Sequence, residues 1–197
     1  RFLLADYEAP GRLRGYASFD AEAIAAMGSR PKQGDLIGSG HMAMTLERVG
    51  EDDRYQGIVA LEGQSLGAAA LTYFRQSEQL PSYVRLAVAR HRVQGGDRWH
   101  WRAGGLLIQH PTAEVEDNDS PSAPPEQENW QRARILAASV EDHELIDPTL
   151  SAERLLFRLF NEEDVRVFTG QTLDASCRCP RERVQMVLTR FSDEDLG

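Results

Sequence analysis

The stretch Leu173-Asp174-Ala175-Ser176-Cys177-Arg178-Cys179-Pro180-Arg181-Glu182-Arg183-Val184 decides how the rest of the chain is read. It holds both cysteines of the protein, separated by one residue. Two thiols that close either begin a metal site or form a reversible disulfide pair. Two ordinary buried cysteines are the plainer reading, but Arg178, Arg181 and Arg183 surround these two with cations. Neighbouring cations lower a thiol's pKa and raise its thiolate fraction, which makes it a better nucleophile and a better ligand. The Cα atoms of residues two apart lie at most about 7 Å from each other. That is the edge of disulfide geometry, so a Cys177–Cys179 bond would be strained and readily reduced. Such a bond suits a switch better than a staple.

The composition is that of a globular protein: 197 residues, 41% hydrophobic and 27% charged. The net charge of −9 repels nucleic acid and anionic membranes, and no long basic run offsets it. No apolar run approaches the roughly 18 residues of a membrane span, and no signal-peptide pattern is present. Two cysteines this close cannot form a secreted disulfide framework, so a reducing cytoplasm fits best. The chain opens on Arg-Phe-Leu-Leu-Ala-Asp-Tyr, which reads as an interior strand, so a piece cut from a longer protein is expected.

Working back from the cysteines, Phe2–Tyr7 and Leu13–Phe19 read as a hairpin around the Pro10-Gly11 turn signal. Asp20–Met27 reads as a short helix ending at Gly28. Leu36–Leu46 reads as a strand, because Met42, Met44 and Leu46 alternate with small or polar residues. Gly38-Ser39-Gly40 lacks the third glycine and following helix of a dinucleotide site. Gly50–Asp53 makes a turn and Tyr55–Glu62 returns. Ser65 is a suitable N-cap for a helix whose Leu66, Ala70, Tyr73, Phe74 and Ser77 share one face. Tyr83–Ala89 is a further strand, and Leu106–Gln109 reads as a central one. From Pro111 to Asn129, Glu, Asp, Ser and Pro dominate, which predicts a linker or mobile loop.

Trp130, Ala133, Ala137 and Val140 mark a helix that runs until Pro148 breaks it. Ser151 caps the next, where Leu155, Leu156, Leu159 and Phe160 form an apolar stripe. Asn161-Glu162-Glu163-Asp164 puts negative charge at that helix's unfavourable end, which predicts fraying. Val165–Phe168 reads as a short strand, and a last helix is expected from Pro180. None of the five histidines (His41, His91, His100, His110, His143) sits at metal-ligand or triad spacing.

Six blocks, in this order, resemble the redox-regulated heat-shock chaperones known as the thirty-three-kilodalton chaperonins. They are Gly15-Tyr16-Ala17, Tyr55-Gln56-Gly57-Ile58-Val59, Tyr73-Phe74-Arg75-Gln76-Ser77-Glu78-Gln79, Gly104-Gly105-Leu106-Leu107-Ile108-Gln109, Leu159-Phe160-Asn161-Glu162-Glu163 and Cys177-Arg178-Cys179-Pro180-Arg181-Glu182-Arg183. The resemblance implies an α+β fold, mostly an antiparallel sheet core with packed helices. A helical linker and the start of a small zinc-binding redox domain follow. Boundaries at 1–111, 112–170 and 171–197 are expected for the three parts. It also implies an ATP-independent holdase for unfolding proteins, an active dimer, and no enzymatic activity. Four cysteines bind one zinc in the family; Cys177 and Cys179 correspond to the first pair, and no second pair exists in this sequence. Peroxide with mild unfolding would oxidise the thiols, release zinc and unfold the linker.

The physics of such a switch stands apart from the resemblance. Residues after Gln171 carry too few large apolar side chains to fold on a core of their own. A four-cysteine zinc site contributes on the order of 10–16 kcal/mol, more than most domains have to spare. Its loss would melt the neighbouring helices and uncover Leu155, Leu156, Leu159 and Phe160 as a client surface. Two other classes compete. A thiol oxidoreductase or isomerase would use the Cys-x-Cys pair but needs a thioredoxin-like βαβ context. A zinc-binding interaction module would ignore oxidants.

Overall fold

A computed structural model describes residues 1–47, 54–92, 97–111, 126–176 and 181–191. The chain divides into two compact units, Arg1–Ala26 with Phe168–Gly197, and Met27–Val167.

The first unit begins with the expected hairpin, β1 (Phe2–Glu8) and β2 (Arg12–Ser18), in antiparallel register from Phe2↔Ser18 to Glu8↔Arg12. The Gly11 N–H donates to the Glu8 carbonyl at 3.0 Å, and Gly11 takes φ 142°, a conformation that excludes other residues. Opposite charges face each other across the strands: Arg14 Nε lies 2.8 Å from Asp6, and Arg12 lies 3.6 Å from Glu8. Asp20 caps α1 (Ala21–Ala26) by accepting from the Ala23 N–H at 3.0 Å.

In the second unit, α2 (Gln33–Ile37) occupies the start of what the alternation pattern assigned to a strand. Gly38, at φ 74°, ends this turn of helix, so β3 begins only at Ser39 (Ser39–Glu47). It pairs antiparallel with β4 (Arg54–Glu62), from Ser39↔Glu62 to Glu47↔Arg54. The predicted turn at 50–53 lies outside the described residues. Ser65 caps α3 (Leu66–Gln76) as expected, its Oγ accepting from the Ala68 N–H at 3.2 Å.

The predicted face of α3 is the one that packs. Tyr73 is wholly buried, edge-on to Phe74, and its hydroxyl donates to Glu78 Oε1 at 2.5 Å. Burial and that hydrogen bond raise the phenol's pKa well above its ordinary value. Two of the sequence blocks meet here. The Tyr55 hydroxyl donates to the Ser77 carbonyl at 3.1 Å. Gly57 stands so close that a Cβ would lie 2.5 Å from Tyr73 Cε2 and 2.8 Å from Ser77 Oγ.

The hairpin β5 (Ser82–Arg92) and β6 (Trp99–Gln109) follows, in register from Ser82↔Gln109 to Arg92↔Trp99. Among the described residues Leu106–Gln109 is not a central strand. Among the described residues β5 is its only partner, and its burial comes from helices instead. These are α4 (Glu126–Ala138), α5 (Asp142–Ile146) and α6 (Ala152–Phe160). Leu106, Ala137, Val140, Leu155 and Leu159 form the buried cluster, flanked by Tyr83, Ile108, Leu145, Leu150, Leu156 and Phe160.

The helix predicted to run until Pro148 stops at Ala138 instead. Glu144 accepts from the Glu141 N–H at 2.9 Å, which restarts the chain as α5 and lets Val140 turn into the core. Residues 165–168 form no strand; Val165, Val167 and Phe168 are exposed and find no ladder partner among the described residues.

The chain then returns to the first unit with β7 (Asp174–Ala175) and α7 (Arg181–Leu188). The strand β7 runs parallel to β2, the one departure from an otherwise antiparallel α+β architecture among the described residues.

The Tyr73 cluster sets a first test. Gly57→Ala should lower the urea stability of the protein by about 1–3 kcal/mol through overpacking. Tyr73→Phe should cost about 1–3 kcal/mol by stranding Glu78. Unchanged midpoints for both would show that this contact does not hold α3 to β4.

Candidate functional site

Cys177 and Cys179 lie outside the described residues, but the chain on both sides of them is placed. On the near side, the Asp174 N–H donates to the Gly11 carbonyl at 2.9 Å and the Ser176 N–H to the Leu13 carbonyl at 3.3 Å. Tyr7 adds a hydrogen bond from its hydroxyl to Gln171 Oε1 at 3.0 Å. A Cβ at Gly11 would run into the Thr172 carbonyl, so the hairpin turn is shaped to let this segment pass. On the far side, α7 starts at Arg181.

The residues leading to the cysteines are held by a ladder only two residues long, Asp174–Ala175 against β2. Beside it runs the charged face of the hairpin. Asp6, Glu8, Arg12 and Arg14 line a small recess with Ser176, whose Oγ is buried with no hydrogen-bond partner among the described residues.

The donor chemistry suits zinc in kind but not in number. Thiolates are ordinary zinc ligands, and a structural site takes four donors. Cys177 and Cys179 offer two. Among the described residues no group of three or more His, Cys, Asp or Glu side chains could hold a metal ion.

The second set of predicted site residues is fully described. Leu155 and Leu159 are buried, and Leu156 and Phe160 pack half-buried against the same cluster. In this folded state the stripe is core. Phe157, on the opposite side of α6, is 70% exposed.

Three ion pairs fix the helices around this core. Arg85 Nε lies 2.7 Å from Asp142, tying α5 to β5. Arg158 lies 2.6 Å from Glu144, tying α6 to α5. Arg132 grips Glu163 through two hydrogen bonds of 2.6 and 3.1 Å, tying α4 to the end of α6. The Arg132 guanidinium holds the Glu163 carboxyl below its usual range, chiefly through the hydrogen bond.

The sequence signalled only a destabilising acidic run at 161–164. Its partner stands 31 residues away in α4, and nothing local in the sequence links the two.

Residues 1–197 match the family described as Hsp33 protein. The chain is 40% identical over 200 residues to a 33 kDa chaperonin of Caulobacter vibrioides, covering 100% of this chain and 64% of that protein. It is 35% identical over 189 residues to a 33 kDa chaperonin of Photorhabdus laumondii, covering 94% of this chain and 57% of that one. The crystal structure of a 33 kDa chaperonin from Thermotoga maritima superposes with a TM-score of 0.63 at 17% identity. That match covers 98% of this chain and 65% of the other, and it shows a shared fold. The chain thus spans under two thirds of the length of each of these proteins.

Two expectations follow from the site. Gly11→Ala should detach β7 and raise the rate at which Cys177 and Cys179 react with an aromatic disulfide reagent several-fold. An unchanged rate would mean the ladder does not restrain them.

The second concerns pH. Glu163's folded pKa is depressed, so its stabilisation is present above the unfolded carboxylate value and is lost as pH falls through the folded one. Denaturation of the parent and Glu163→Gln, followed from about pH 7 to about pH 3, should show a gap that closes toward acid. A gap independent of pH would rule the ion pair out.

Proposed function

The chain belongs to the Hsp33 family, and on that premise we propose that it acts as a redox-regulated, ATP-independent holdase. The observation that carries this reading is the family match along all 197 residues. Its partners, on this reading, are unfolding polypeptides. Its place is the cytoplasm, and its active form a homodimer. Among the described residues no helix is long and apolar enough to cross a membrane. The role is one of binding and involves no turnover.

The switch residues of the proposal are Cys177 and Cys179. Cys177 and Cys179 would supply two of the four thiolates of a zinc site, and a metal held there would add folding free energy to the C-terminal segment. Oxidation would take those two thiolates away as donors. One thiolate attacks hydrogen peroxide and becomes a sulfenic acid as the O–O bond breaks; the hydroxide that leaves takes up the proton the thiol lost on ionising and departs as the first water. The second thiol displaces the sulfenic hydroxyl as another water and closes the disulfide. Two thiols lose two electrons and one peroxide gains them. The arginines at 178, 181 and 183 favour the attacking thiolate.

Melting of α6 would then free Leu155, Leu156, Leu159 and Phe160 for clients. Support for that surface is its double use: four apolar side chains on one short helix now bury against Leu106, Ala137 and Val140. Large-to-small or polar changes there weaken the fold by about 2–5 kcal/mol. A core residue that also binds clients has a distinctive signature, because its loss destabilises the fold and lowers activity together.

Light scattering of a heat-unfolding client tests the proposal. The chain reduced with zinc should leave aggregation unchecked, and the peroxide-treated chain should suppress it. Leu155→Ser and Leu159→Ser variants, still soluble, should suppress it less well after oxidation. Suppression in neither redox state overturns the holdase reading, and catalysis of disulfide exchange would favour an oxidoreductase. Undiminished suppression by the serine variants moves the client surface elsewhere.

A further inference from the structure

We propose that the outer half of the β5–β6 hairpin is a docking platform for single-stranded RNA. The strand register assembles a feature that the linear sequence disperses. Trp99 and Trp101, two residues apart, share one face of β6, and the register sets Arg92 opposite Trp99 and Arg90 opposite Trp101. The Arg90 guanidinium carbon lies 5.6 Å from the centroids of both indoles, and that of Arg92 lies 6.0 Å from Trp99. Both rings remain open, Trp99 at 59% and Trp101 at 72% exposure. Val88 and Leu86 continue the same face toward the base of the hairpin, also exposed. Positions 86, 88, 90, 92, 99, 101, 103 and 105 of that face include no carboxylate.

Charge selects the occupant. Residues 82–109 hold five arginines against Asp97 alone, a net of +4 with His neutral, which leaves −13 on the rest of the chain. Arg85 is engaged with Asp142, whereas Arg90 and Arg92 lie on the ring faces. A cationic ribbon on an acidic protein attracts a polyanion to one place. An unfolded polypeptide would need the apolar surface but not the arginines.

Ring spacing makes the same choice. Indoles two residues apart on a strand stand about 7 Å from each other, a step that successive unstacked bases can follow. Exposed aromatics on a sheet, alternating with cations, are the usual means of holding single strands. Guanidinium planes stack on bases as readily as on indoles. In a cell the bases of DNA are paired, and RNA is the source of free ones. The holdase reading plays no part in this inference.

The test is fluorescence anisotropy of a fluorescein-labelled twelve-nucleotide oligouridylate titrated with the purified chain, at about 50 mM and about 200 mM salt. Saturable binding that weakens with salt is expected. Trp99→Ala with Trp101→Ala should weaken it about tenfold or more, and Trp99→Phe with Trp101→Phe should keep most of it. Arg90→Ala with Arg92→Ala should lower the slope of log affinity against log salt by about 1.4, the value for two phosphates on a single strand. Should the alanine pair unfold, the phenylalanine and arginine pairs decide. No saturable binding at the lower salt overturns the proposal. So does binding that ignores all three pairs, or uptake of phosphatidylglycerol vesicles or an unfolded protein through these tryptophans while the RNA stays free.

Discussion

The larger unit depends on the packing of Leu155 and Leu159 against Leu106, Ala137 and Val140. Fully burying one leucine stabilises a fold by roughly 1.5–3 kcal/mol, and a whole domain keeps only about 5–15 kcal/mol in hand. Two leucines on a nine-residue helix are thus a large share of the margin. A helix of that length has little stability apart from its packing. Whatever lifts α6 from β6 therefore removes most of what makes α6 a helix. On the proposed reading this stripe cannot be half open, because the contacts that close the core are the ones a client would replace.

The ion pairs around that core do a different job. Arg85–Asp142, Arg158–Glu144 and Arg132–Glu163 all lie at the surface, where a pair contributes little. Their value is positional. The five-residue α5 is too short to hold a register of its own, and it is pinned to β5 by Asp142 and to α6 by Glu144. Glu163 would burden the C-terminal end of α6 if alone, and with Arg132 against it that charge becomes a tie to α4. The acidic run at 161–164 is accordingly less of a weak point than its sequence suggests, because Glu163 has its partner in another helix.

What the residues announce and what they withhold follows the range of the interaction involved. Local signals were readable: Ser65 and Ser151 cap the helices that follow them, and the 3.6-residue spacing of Tyr73 and of Leu155–Leu159 picks the buried faces. The hairpin turn at Pro10-Gly11 was readable for the same reason. Misreadings occur where a short-range pattern is overruled from nearby. Gly38 ends a helical turn inside an apparently alternating strand, and the Glu141–Glu144 cap breaks a helix that no proline interrupts. The remainder is long-range. Neither the Arg132–Glu163 tie nor the approach of Arg90 to both Trp99 and Trp101 can be seen until strands and helices are paired. Of the candidate site, the thiols were evident from their spacing, as were the cations flanking them. The two-residue ladder that positions their segment was not, since Asp174 and Ala175 carry no strand signal of their own.

The balance between charge and exposed apolar surface in these 197 residues bears on contacts between copies of this chain. Phe2, Leu3, Tyr16, Trp101, Phe157 and Phe168 are all more than half exposed. Surfaces of that kind drive self-association unless something opposes it. A net charge of −9 does so through repulsion between copies, which acts at a distance where apolar contact does not. Repulsion of this kind acts between like-charged chains and leaves a neutral one unaffected. It also weakens in salt over a Debye length of about 8–10 Å. High ionic strength should therefore promote association between copies before it alters the fold, because the leucine core is indifferent to screening while the repulsion is not.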